Sequence, residues 1–267
     1  ISCEYSQYNF TFLDYEKFDI TDYNFVSSFF NNKKIQFIIN CAAYTNVQSA
    51  EKEVYKCFKV NCLGVLNLSK ISKELKIGLI HISTDYVFEG DKNEPYNELD
   101  KTNPKSIYGL SKLFGEKAMR LINPKNSIII RTSWLYSKYG DNFINKILNI
   151  ATLKQEISVI DDQIGTPTNA NDLANSILQI VPQIKNHDVE IYHYSNLGYC
   201  SWYDFAIELK KIKNFRSKII AVNSSEFESK VCRPKFSVMD KSKFQKVFSV
   251  KLIDWKESLK IHLSNNE

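Results

Sequence analysis

The sequence predicts an α/β fold: a doubly wound parallel sheet with a smaller carboxyl-terminal lobe. Three observations carry this. Short β-branched apolar runs alternate with helix-length amphipathic stretches through the first half of the chain, the rhythm of parallel strands joined by helical crossovers. The run Ile77 to Ile82, broken only by Gly78 and His81, ends on Ser83-Thr84-Asp85, and open parallel sheets bind ligands at that polar carboxyl end. A chain of 267 residues with 43% hydrophobic content can fill a core, and its length gives about one to two domains.

Taken in order, Phe10 to Leu13 reads as a strand ending at Asp14, and Thr21 as the cap of a helix running to about Asn32. Ile35 to Asn40 is an apolar strand that leads into Asn-Cys-Ala-Ala-Tyr. A helix of several turns covers Glu51 to about Lys76. After the Ile77 strand comes a polar loop with Pro95 and Pro104, then a helix from near Ser106 to about Leu121. Ser127 to Arg131 is an isoleucine-rich strand, and right-handed crossovers fix the topology. Beyond Ser137 the rhythm loosens. Helices are expected over Asn142 to Leu153, Asn171 to Ile180, Trp202 to Lys213 (capped by Ser201) and Lys251 to Leu263. Strands are expected at Ile157 to Ile160, Glu190 to Ser195 and Ile219 to Val222.

Charge and cysteine usage narrow the classes. The net charge of +5 comes from 35 basic and 30 acidic residues scattered without a basic block, so nucleic acid is not implied. The six cysteines (Cys3, Cys41, Cys57, Cys62, Cys200, Cys232) form no C-x-x-C pair, which favours reduced thiols and a cytoplasmic setting. No apolar run approaches the roughly 20 residues that span a bilayer, and no signal peptide is visible. His81, His187, His193 and His262 lack ligand spacing, so no metal is assigned. A bound Mg2+ stays open only in the sense that the residues do not read it out.

The chemistry centres on Tyr108 and Lys112, four apart on one helix face. A free phenol, with a pKa of roughly 10, is nearly inert at neutral pH, and a cation held close favours the phenolate. Such a tyrosine can pass a proton to or from a substrate oxygen that Thr84 holds. An exposed helix pair and a satisfied turn hydroxyl are the plain alternatives, and Ser83 is the residue most easily confused with Thr84. Tyr55 and Lys59 repeat the spacing without a strand end before them and read as surface.

Several motifs in one order, HISTDYVFEG (81–90), PYNELD (95–100) and YGLSKLFGE (108–116), resemble the extended short-chain dehydrogenase/reductase superfamily and, within it, the dTDP-4-dehydrorhamnose reductases. DITD (19–22), NCAAYTNVQSAE (40–51), VNCLG (60–64), RTSWLYS (131–137), GDNF (140–143) and DDQIGTPT (161–168) extend the likeness over almost all of the chain. The resemblance implies a Rossmann-like dinucleotide-binding domain over 1–137. Residues 138–267 would be mainly a substrate lobe, with segments returning to the main sheet. It implies NADPH or NADH as cofactor and a nucleotide-sugar as substrate, reduced toward dTDP-L-rhamnose for cell-surface polysaccharide. A homodimer is left open, and neither nucleic acid nor membrane is expected as a partner.

By the same resemblance Tyr108 is the proton donor, and Lys112 its partner and a ribose ligand. Asp19, Ile20, Ala42, Ala43 and Tyr44 line the adenine and ribose side. Thr84, Asp85, Trp134, Asn142 and Arg233 face the substrate. The resemblance also implies a place for Asn61 near the proton relay; a buried structural role for Asn61, packing for Trp134 and a surface position for Arg233 are the alternatives. Asp14 would favour NAD and Lys17 the 2′-phosphate of NADP, and the residues do not choose. A dehydratase would call for two acids after the threonine, and here Asp85 is followed by Tyr86. An epimerase, or a regulatory relative like that of methionine adenosyltransferase, are the rivals.

One expected part is missing. A dinucleotide site needs a strand, a glycine-rich turn and a helix start. Here none of the eight glycines precedes Gly64. The expectation is that roughly 15 to 20 residues precede Ile1 in the natural product. The chain without them should bind NADH or NADPH weakly, so tight binding in a calorimetric titration would defeat that expectation.

Overall fold

The computed structural model describes residues 7–31, 33–226 and 231–264; Cys3 lies outside them. Helix α1 (Tyr23–Asn31) starts one residue later than the predicted cap at Thr21 implies. Asp22 Oδ1, not Thr21, accepts the Phe25 N–H at 3.0 Å. Strand β1 (Phe37–Asn40) leads through α2 (Val47–Ala50) to α3 (Val54–Phe58). The expected long helix is interrupted by a π-helical turn, Lys59–Gly64, before α4 (Val65–Leu75). Next come β2 (Gly78–Thr84), α5 (Ile107–Ile122) with Ser106 as its N-cap, and β3 (Ile128–Thr132).

Short strands β4 (Leu135–Tyr136), β5 (Glu156–Ile160), β6 (Ile164–Gly165) and β7 (Thr168–Asn169) follow, with α6 (Phe143–Ala151) between the first two. Then come α7 (Ala170–Ile180), β8 (Glu190–His193), β9 (Cys200–Ser201), α8 (Trp202–Lys213), β10 (Lys218–Val222), α9 (Ser242–Phe248) and α10 (Trp255–Ser264). Ser201 caps α8 in a full capping box with Asp204. The last helix begins at Trp255 rather than Lys251, and α9 has no counterpart in the sequence reading.

The main sheet runs β1-β2-β3-β8, with β1 and β2 parallel and Asn40 opposite His81. This consecutive order is one half of a doubly wound sheet. The strand predicted at Phe10 to Leu13 does not form: residues 9–14 pair with no described strand, and Phe12 is 79% exposed. A strand exists only with a hydrogen-bonded neighbour, and no described segment supplies one there.

Packing divides the chain into two units. The first holds residues up to 89, 98–131 and 178–192; the second holds 90–97, 132–177 and from 193 on. The core of the first unit joins Val26, Phe30, Leu68, Leu79, Met119 and Ile129. That of the second joins Tyr136, Ile147, Phe205, Leu209, Trp255 and Leu259. Cys41, Cys57, Cys62, Cys200 and Cys232 are free thiols. No helix among the described residues is long and apolar enough to cross a membrane.

Candidate active site

Nine of the twelve predicted site residues fall in the first unit: Asp19 and Ile20 just before α1, the other seven after β1, at the end of β2 and in the first two turns of α5. Side chains alternate along β2, so Ser83 and Thr84 point to opposite faces. Ser83 Oγ donates to Glu116 Oε1 at 2.6 Å and is spent inside the unit. Thr84 Oγ1 donates to Asp85 Oδ1 at 3.1 Å, and its hydroxyl is near enough to Tyr108 to favour the phenolate. Asp85 is buried. The Tyr108 ring stands edge-on to Tyr86, centroids 5.6 Å apart.

Two glycines let these parts meet. A Cβ at Gly109 would collide with the Tyr86 carbonyl, and one at Gly115 with that of Asn61. Gly115→Ala is therefore expected to destabilise the fold by about 1–3 kcal/mol, read as a lowered urea midpoint. Asn61, wholly buried in the π-turn, takes the structural role. It accepts the Tyr44 N–H at 2.8 Å and donates to the Tyr44 carbonyl at 3.0 Å and to Ser111 Oγ at 2.9 Å. That grip fixes the backbone at Ala43-Tyr44.

The electrostatics correct one expectation. Burial first, then the Asp85 charge, pushes the Tyr108 phenol above its ordinary value, while the Thr84 hydroxyl works against the shift. The phenol is thus fully protonated at neutral pH. Lys112 does not lower it, because its ammonium donates to the Ile82 carbonyl at 2.6 Å and lies 3.4 Å from His81 Nε2. A buried ammonium is drawn to the nearest carbonyl, a contact that four-residue spacing does not reveal.

Burial pulls Lys112 down to about 8, with Glu116, Cys41 and Cys57 opposing. Between about pH 8 and the unfolded value of 10.5 the unfolded chain binds a proton that the native chain does not. Native stability relative to the Lys112→Met variant is therefore expected to rise across that window and to be flat below it. Denaturant titrations of both proteins at successive pH values check this, and Lys241, also lowered to about 8, cancels in the difference.

On the cofactor side, Asp19 Oδ1 accepts the Thr21 N–H at 2.9 Å, a local turn that leaves its other oxygen outside this bond. Ile20 is buried against Gly64, so only its backbone can face a ligand. Ala42 is exposed and Ala43 half-buried at the end of β1. Asp14 and Lys17, the two alternatives for the ribose, form an exposed ion pair at 3.5 Å.

Trp134, Asn142 and Arg233 lie in the second unit. Trp134 has a left-handed backbone, φ 46°, and stacks flat on Trp202 with centroids 3.5 Å apart. Gly165 lies against the indole where a Cβ would not fit. Asn142 is an N-cap for α6: Oδ1 accepts from Asn145, and Nδ2 donates to the Ser137 carbonyl at 2.7 Å. Its amide is used within its own loop, so any service to a substrate is through that loop's shape. Arg233 is exposed. The adjoining Pro234 packs on Gly90, whose φ is 86°. A cavity of about 550 Å³ in this unit, bordered by Lys92, Tyr199, Met239 and Lys241, holds none of the predicted residues.

The sequence reading missed His81, Asn40, Glu116 and Arg131, all buried. A signal was there: a charge inside an isoleucine strand, as at Arg131, demands a buried partner. No group of three or more His, Cys, Asp or Glu among the described residues could hold a metal ion, so nothing supports an Mg2+ site.

Comparison with known proteins agrees with this geometry. The family described as RmlD substrate binding domain matches residues 2–267. Spore coat polysaccharide biosynthesis protein SpsK of Bacillus subtilis is 38% identical over 92% of this chain and 84% of its own length. A dTDP-4-dehydrorhamnose reductase of Aggregatibacter actinomycetemcomitans is 36% identical over 95% of this chain and 89% of its own. The crystal structure of dTDP-4-dehydrorhamnose reductase from Bacillus anthracis in complex with NADP superposes with a TM-score of 0.92 at 34% identity, covering 98% of this chain and 92% of that one. With the fold, the motif order and a match along nearly its whole length in accord, the chain belongs to the RmlD substrate-binding-domain family, that of the dTDP-4-dehydrorhamnose reductases.

Proposed function

We propose that this protein reduces dTDP-4-dehydro-L-rhamnose to dTDP-L-rhamnose with NADPH. The observation that carries the reading is the protonated Tyr108 phenol, whose charge state responds to the buried Thr84 hydroxyl beside it at the carboxyl end of β2. NADPH is favoured over NADH because the Bacillus anthracis relative binds NADP. The residues present fit part of such a cofactor. Ala42 and Ala43 leave room at the end of β1, Asp19 and the backbone of Ile20 border the adenine and ribose side, and Lys112 meets the nicotinamide ribose. No described glycine-rich turn cradles the pyrophosphate.

The cofactor, when bound, supplies a hydride to the keto carbon. Thr84 Oγ1 holds the sugar oxygen. Tyr108 Oη gives that oxygen its proton as negative charge grows there. A phenol raised by burial is loaded but reluctant, so transfer needs a cation nearby. Lys112, one turn along α5, supplies it when its ammonium leaves the Ile82 carbonyl. In the second unit, taken by itself, the Arg233 guanidinium has the chemistry that suits a diphosphate, and Trp134 is stacked on Trp202. Asp85 anchors Thr84 rather than working as a second acid, and Tyr86 fills the place where a dehydratase would need one.

The test is stoichiometry in the full-length protein. One NADPH oxidised per dTDP-4-dehydro-L-rhamnose consumed is expected. Conversion of a nucleotide-sugar without net NADPH loss would point to an epimerase instead.

A further inference from the structure

His81 is wholly buried on β2, three residues before Thr84, and both ring nitrogens face nitrogen donors. Asn40 Nδ2 lies 3.1 Å from Nδ1, and Lys112 Nζ lies 3.4 Å from Nε2. The other end of the Asn40 amide is taken, since Oδ1 accepts the Ala42 N–H at 3.1 Å. A neutral imidazole has one N–H and one lone pair, so it cannot accept from both sides. The imidazolium is no way out, because burial and then the Lys112 charge hold His81 well below its ordinary value.

Two arrangements give each ring nitrogen of His81 a matching partner. In one, Nδ1 accepts from Asn40 and the Nε2 hydrogen points at Lys112, which needs the lone pair of a neutral amine. In the other, a charged Lys112 donates to Nε2 and the hydrogen sits on Nδ1. Asn40 must then turn its oxygen to the ring and release the Ala42 N–H. We propose that His81 is a positioning residue that ties the charge of Lys112 to the Asn40–Ala42 turn, its tautomer changing whenever Lys112 gains or loses a proton.

The charged and titratable groups that face Lys112 are Glu116 on its own helix, His81 on β2, Cys41 after β1 and Cys57 on α3. Glu116 is held by Arg131 and Ser83, which leaves His81 as the partner free to respond. The inference rests on the reductase reading only for the catalytic part it gives Lys112. With it, the Ala42 amide, beside the proposed cofactor, becomes free to donate when Lys112 is charged.

The test is nuclear magnetic resonance on the full chain. Long-range proton–nitrogen spectra of labelled histidine show which ring nitrogen of His81 carries hydrogen, and labelled lysine side-chain carbons follow Lys112. Variants His81→Gln and Lys112→Arg assign the signals. As pH rises from about 6 to about 10, His81 is expected to pass from Nδ1–H to Nε2–H with the midpoint of Lys112, and the Ala42 amide signal to move in step. In Asn40→Asp, whose side chain only accepts, Nδ1–H should persist throughout and the Lys112 midpoint rise by at least about one pH unit. A His81 tautomer that stays constant through the Lys112 titration, or an imidazolium in place of either tautomer, overturns the proposal. Failure of the reductase reading would show in turnover and leave these spectra unchanged.

Discussion

Replacing Tyr108 with phenylalanine is expected to lower reductive turnover by about 10²- to 10⁴-fold, the range for losing a positioned general acid. The substitution removes one oxygen and little else. The ring keeps its edge contact with Tyr86, at 5.6 Å between centroids, and α5 keeps its Ser106 cap. Thr84 retains its hydrogen bonds with Asp85 and the Tyr86 N–H. Thermal unfolding should therefore change little while kcat falls. The decline should appear in kcat and kcat/KM alike, because the proton is given only in the transition state. Full turnover in the variant would mean that Tyr108 is not the acid.

The largest loss of stability is expected from Glu116→Ala, at about 3–5 kcal/mol, because it strands a buried guanidinium. Arg131 and Glu116 meet in a two-pronged pair, Nε to Oε1 at 2.9 Å and Nη2 to Oε2 at 2.7 Å. Both side chains are almost fully buried, at 3% and 2% exposure, and the guanidinium also lies 5.0 Å from the centre of the Phe88 ring. Removing one partner leaves the other charge without water. Replacing both, as Arg131→Met with Glu116→Leu, should recover most of the loss, since the pair's attraction mainly offsets its own desolvation. Urea unfolding of the two variants separates the cases; equal losses would mean that packing, not charge, holds this place.

Legibility in the sequence followed the range of the forces. Ser106, Ser201 and the strand ends at Asn40 and Thr84 could be read because caps and apolar periods are local. The Phe10 to Leu13 strand could not, since β structure is decided by a neighbour far along the chain. The π-turn at Lys59–Gly64 hides inside a helical pattern that one extra residue hardly disturbs. Tyr108, Lys112 and Thr84 were legible as a set, but the direction of the Lys112 ammonium was not, because it depends on the Ile82 carbonyl across the unit. Asn142 caps α6, a role its residue type suits as well as it suits a ligand, and the sequence alone did not separate the two.

Trp134 has a further consequence for how this protein can vary. A bulky side chain in a left-handed backbone carries strain of about 1–3 kcal/mol, and the stack on Trp202 offsets part of it. Glycine at 134 would relax the chain but empty the slot that Gly165 is bare to accommodate. Neither position can drift alone: a side chain at 165 becomes tolerable only after the indole has gone. The two sites form a ratchet, and homologous chains should exchange both residues or neither.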